Sequence, residues 1–188
     1  MGVSDVTRIL ERAQQGDPKA ADDLLPLIYD ELRKLAAVRM GHQAPQTLQP
    51  TALVHEAYLR LIGSEPAQWN SRGHFFAAAA EAMRRILIEQ ARKKASQKRG
   101  GGWKRIGMNL DEIDVAMDTD SDVLLLLNEV LDDYAVKDPT GAELIKLRFF
   151  AGVPNHEAAA LLGLSERTAK RTWAFARAWL YHEIKIRA

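Results

Sequence analysis

Cysteine is absent from the 188 residues, which excludes disulfides and thiolate-held metal and fits a reducing compartment. No apolar run is long enough to span a bilayer, so no membrane partner is expected. The N-terminus lacks the charged-then-apolar plan of a signal peptide. Val6 stands where the myristoylation pattern needs Ser or Thr. The expected location is therefore the cytoplasm. Net charge is almost absent too, with 26 Lys and Arg against 25 Asp and Glu. Segments that alternate apolar and polar residues at period two are missing, which points away from strands.

Catalytic motifs are equally scarce. His55-Glu56-Ala57-Tyr58-Leu59 begins like a zinc-protease helix, but Leu59 occupies the place of the second histidine. His42, His74, His156 and His182 are scattered and lack ligand spacing. Gly100-Gly101-Gly102-Trp103-Lys104 is not a phosphate loop, because no Gly-Lys-Ser/Thr follows at the required spacing. Neither a nucleophile elbow nor a pair of catalytic carboxylates is evident. The expectation is a protein that is no enzyme and uses no cofactor and no metal.

What the chain does have is charge sorted by position. Arg84 to Arg105 holds nine basic residues and one acid, Glu89, whereas Asp111 to Asp133 holds nine acids and no base. The near-zero average conceals this polarity, and a basic segment of that density is a candidate nucleic-acid surface. The acidic stretch reads either as a solvated linker and helix start or as a segment that mimics nucleic acid in a basic channel.

Nearly every patterned segment has helical period, which predicts an all-α protein. Ser4 can cap a first helix carrying Val6, Ile9, Leu10 and Ala13, with Gly16 at its end. Asp17-Pro18 opens a second, in which Leu24, Leu25, Ile28, Leu32 and Leu35 face inward and Pro26 predicts a kink or break. Leu53, Val54, Ala57 and Leu61 form a stripe over 51–62. A long helix over about 75–94 buries Phe76, Ala79, Ala80, Met83, Ile86 and Leu87. Its other side carries Arg85, Glu89 and Arg92 on one face, widened by Arg84 and Lys93. Glu89 has the spacing of a surface ion pair with Arg92 or Lys93. Trp69, in the loop before this helix, suits either an unstacked base or a core anchor.

Three consecutive glycines within 95–120 disfavour regular structure, so two small helical domains joined by a flexible linker are expected: 1–94, linker 95–120, and 121–188. The second resumes near Asp122 with Leu124, Leu127, Val130 and Leu131. Asp138-Pro139 caps a further helix with Leu144, Leu147 and Phe150 inward, which Gly152 ends.

The stretch 154–180, PNHEAAALLGLSERTAKRTWAFARAWL, then reads as a helix-turn-helix. Gly163 supplies the positive φ of a tight helix exit, and Ser165 is placed to cap the next helix. Ala169, Trp173, Ala176 and Leu180 recur as one buried stripe, leaving Arg167, Lys170, Arg171 and Arg177 largely off it. A helix with a basic N-terminal face, held by such a turn, suits a DNA major groove. The residues alone leave open a helical hairpin with a solvated charged face.

In order and spacing these segments resemble the extracytoplasmic-function (ECF) group of sigma-70-type RNA polymerase sigma factors. TALVHEAYLRL (51–61) looks like the family helix that binds the polymerase clamp. FFAAAAEAMRRILIEQAR (75–92) looks like the helix that reads and opens the −10 element. Residues 144–180 resemble the −35 reader, through the Phe-Phe-Ala-Gly turn and LLGLSERTAKR.

The resemblance implies a promoter-specificity subunit whose partners are RNA polymerase core, at its clamp and flap, and promoter DNA. An anti-sigma factor or kinase-linked regulator is a further candidate partner. It assigns Ser165, Arg167, Thr168, Lys170 and Arg171 to the −35 element. Trp69, Arg84, Arg85, Glu89, Arg92 and Lys93 fall to the −10 element, and His55, Glu56, Leu59 and Arg60 to the polymerase. Gln49-Pro50-Thr51-Ala52 departs from the acids usual at the start of the clamp helix, and Arg85 from a small polar residue. The alternative is an autonomous helix-turn-helix regulator with an N-terminal sensing or dimerisation domain. The chain reaches Ala188 soon after the last helical pattern, and no fused regulatory domain is expected.

Overall fold

The computed structural model describes residues 50–63, 71–97 and 121–187, with ten scattered positions between Arg8 and Leu27. Every regular element among them is a helix. In chain order these are α1 (Pro50–Gly63), α2 (Arg72–Gln97), α3 (Ser121–Lys137), α4 (Pro139–Ile145), a π-helical turn (Lys146–Phe150), α5 (Asn155–Leu161) and α6 (Glu166–Arg187). The chain forms two compact units, Met1–Met83 and Arg84–Ala188, so the second half of α2 groups with the C-terminal helices.

In the first unit the buried set includes Ile9, Ala20, Leu53, Val54, Ala57, Phe75, Phe76, Ala79, Ala80 and Met83. The stripe expected on α1 is therefore buried except for Leu61, which is half-exposed. α2 begins three residues before Phe75 because Ser71 Oγ accepts the His74 N–H at 3.0 Å, an N-terminal cap that the periodicity did not reveal. It runs on to Gln97, three residues past Lys94. Asp17 Oδ1 accepts the Lys19 N–H at 2.9 Å, as a helix cap would, and also holds Arg12 through its other oxygen at 2.6 Å. The kink expected at Pro26 lies outside the described residues, apart from Pro26 and Leu27 themselves.

In the second unit α3 packs against α4 and α6, and α6 also contacts α4 and α5. Val123, Leu124, Leu126, Leu127, Val130, Leu131 and Tyr134 are buried on α3. Asp138 joins this helix to the next. Its Oδ1 accepts the Gly141 N–H at 2.9 Å and its Oδ2 accepts the buried Tyr134 hydroxyl at 3.0 Å. Burial first, and the Asp138 hydrogen bond second, push the Tyr134 phenol well above the usual tyrosine range. A Cβ at position 141 would meet the Asp138 carboxylate and the Tyr134 oxygen, so the cap needs glycine there.

After α4 the hydrogen bonds widen, with the Ala151 N–H reaching Lys146 O at 3.3 Å. Leu147, Phe149 and Phe150 are all buried on this turn. Phe149 and Phe150 meet edge to face at 4.9 Å.

Gly163 has φ +66°, and a Cβ added there would meet nothing within 4 Å, so the cost of a side chain is backbone strain alone. Gly163→Ala should destabilise the protein by about 1–2 kcal/mol, read as a shift in urea midpoint by circular dichroism. Gly141→Ala should also destabilise the protein, by a different route, since the added Cβ would displace the Asp138 cap.

Candidate nucleic-acid interface

Two bonds close the turn between α5 and α6. The Leu164 N–H reaches Ala159 O at 2.8 Å and the Gly163 N–H reaches Ala160 O at 3.2 Å, the paired bonds of a Schellman exit. Ser165 then accepts the Thr168 N–H at 3.1 Å, capping α6, and its hydroxyl also pairs with the Thr168 hydroxyl at 2.8 Å. Thr168 is thus half-buried and engaged in the cap, unlike its three basic neighbours.

Ala169, Trp173, Ala176, Leu180 and Ile184 are buried along one side of α6. Arg167, Lys170 and Arg171 are exposed within its first two turns, and Arg177 is half-buried. Three cations on exposed leading turns can meet phosphates, and an arginine fork there can also read a guanine edge.

Arg148 behind this helix was not singled out by sequence. Its guanidinium lies 3.8 Å from the Trp173 ring centre, and Nη1 donates to Asn155 Oδ1 at 3.4 Å. One arginine thereby touches the π-helical turn, the start of α5 and the buried stripe of α6. The sequence signal was an arginine inside an otherwise apolar run, Leu147-Arg148-Phe149-Phe150.

On α2, Arg85, Glu89, Arg92 and Lys93 are exposed, as is Lys94. Arg84 is not part of that face. It is buried against α3, where Nε donates to Asn128 Oδ1 at 2.9 Å, Nη2 reaches Asn128 O at 3.4 Å, and the same nitrogen pairs with Asp132. The expectation that Arg84 widens the basic face is corrected by one helical step. Arg84 lies beside Leu87, Ile88 and Ala91 on the buried side, and α3 supplies the polar partners that a buried guanidinium needs. Trp69 lies outside the described residues.

On α1, His55 and Leu59 are exposed, whereas Glu56 and Arg60 are half-buried and paired at 2.8 Å. Leu59, 52% exposed between these charged groups, gives the face an apolar centre. Among the described residues no group of His, Cys, Asp or Glu is arranged to hold a metal ion. None of their helices is long and apolar enough to cross a membrane.

A protein-family model described as ECF sigma factor matches residues 3–186. No curated protein and no solved structure matches the chain.

Removing the Arg148 stack should loosen the frame that carries the basic face. Arg148→Ala should lower stability by about 1–2 kcal/mol, the range for a desolvated cation–π pair. Arg148→Lys, which keeps charge but loses the planar fork, should fall between the two. Thermal denaturation checks both, and an unchanged midpoint for the alanine variant would mean the stack is incidental.

Proposed function

The chain belongs to the ECF sigma factor family, and from that membership we propose that it binds RNA polymerase core and directs it to promoters through two DNA elements. It is a sigma factor of transcription initiation, a non-enzymatic role. The observation that carries the division of labour among its surfaces is the exposed basic face of α6, Arg167, Lys170 and Arg171, set against a fully buried stripe.

In this reading α6 enters the major groove of the −35 element with its N-terminal turns first. Ser165 orders that end, and the cap places unpaired helix N–H groups toward the phosphates. Arg171 is positioned one turn further on, where a bidentate contact to a base edge gives sequence choice. Arg85, Glu89, Arg92 and Lys93 of α2, with Trp69 upstream, meet the −10 element as it opens. Backbone contacts there supply affinity and register, and an aromatic ring would stack on an unpaired base. α1 contacts the polymerase through His55, Glu56, Leu59 and Arg60. The segment 95–120 joins domains 1–94 and 121–188 as the linker between the two reading heads. A separate anti-sigma factor or kinase-linked regulator would act on these same surfaces.

Two variants test the division of labour. Arg171→Ala should lose about 1–3 kcal/mol of −35 discrimination, measured by run-off transcription from matched and mutated −35 elements with purified core. Glu56→Arg with Arg60→Glu keeps the ion pair across one helical turn but inverts the surface charge pattern. That double variant should stay helical and fail to bind core. Intact core binding would move the polymerase contact off α1, and unchanged −35 preference would move the reader off α6.

A further inference from the structure

The exposures of the Arg84 pair are unequal. The Arg84 side chain is 9% exposed, while its partner Asp132 is 59% exposed. The arginine is therefore out of reach as long as the pair holds, but the carboxylate that holds it sits at the surface, where solvent or another anion can compete. Asn128 supplies a side-chain and a main-chain oxygen to the same guanidinium, so α3 presents three acceptors on one face. A carboxylate and a phosphate offer an arginine fork the same pair of oxygens at similar spacing.

We infer that Asp132 and Asn128 mask Arg84 in the free chain by standing in for a DNA phosphate, so that this arginine joins the −10 surface only when α3 releases it. The inference rests on the proposed nucleic-acid role of α2 and names how that surface is regulated. Arg84 adjoins exposed Arg85, and Arg92 and Lys93 continue the basic face two turns on. α3 carries Glu129 and Asp133 beside Asp132, all exposed, and Asp133 is held by Arg187 at 2.8 Å. Exchange keeps the guanidinium paired before and after, which avoids the cost of a bare buried charge. Asp132 is the exposed member and is the one displaced.

The test uses the full chain without polymerase, titrating fluorescein-labelled oligo(dT) at low salt, because phosphate contacts do not depend on base sequence. Asp132→Asn should bind about fivefold tighter than wild type, the ratio that one part-exposed ion pair holds back. Glu129→Gln removes an acid from the same face without touching Arg84 and should change affinity much less. Arg84→Met keeps the aliphatic stem but removes the charge, and in that background the Asp132→Asn gain should vanish. Circular dichroism confirms that each variant stays helical.

Equal gains from Asp132→Asn and Glu129→Gln would overturn the inference, as would a gain that persists with Arg84→Met. The sigma assignment fails by a different result, the absence of core-dependent initiation by the wild-type chain, which the oligonucleotide titration does not read.

Discussion

Burial of Ala169, Trp173, Ala176, Leu180 and Ile184 fixes the rotation of α6 about its own axis, and with it the direction of every basic side chain on that helix. Withdrawing Trp173, Leu180 or Ile184 from water is worth about 1.5–3 kcal/mol each. An exposed ion pair is worth about 1 kcal/mol or less, so no rearrangement of surface charges can turn the helix the other way. The two alanines let α6 approach its neighbours closely. The Gly163 exit and the Ser165 cap then set where the helix begins, which decides that Arg167, Lys170 and Arg171 lie in its leading turns. Arg148 closes the arrangement from behind by stacking on Trp173.

Local rules with a single physical cause were legible in the sequence. The all-helical class, the positive φ at Gly163, the Ser165 cap and the Asp138-Pro139 start each follow from residues close together in the chain. The buried stripes on α2, α3 and α6 followed from period alone, as did that on α1 apart from Leu61. Two features were not legible for a shared reason. The π-helical turn depends on which carbonyl the Ala151 N–H reaches, and Arg148 depends on Trp173 lying over it, and neither is a property of spacing.

The candidate site divides in the same way. Arg167, Lys170, Arg171, Arg85, Arg92 and Lys93 are exposed where periodicity placed them. Arg84 is not, because helical spacing gives the angle of a residue but not what approaches it. Asn128 and Asp132 are 44 and 48 residues away in sequence. The separation of charge between 84–105 and 111–133 is thus more than a solvated pattern, since at Arg84 a member of one block is paired with a member of the other. Exposed faces of opposite sign attract over about a Debye length, roughly 8 Å at physiological salt.

We propose that promoter choice belongs to the complex with polymerase and not to the chain alone. Its most direct measurement is transcription from a randomised promoter library by purified core with and without the wild-type chain, alongside DNA selection by the chain by itself. The account predicts initiation only in the combined reaction, enriched for two sequence elements at a fixed separation. Selection of a symmetric site by the chain alone, as a dimer and without polymerase, would contradict it and favour an autonomous helix-turn-helix regulator.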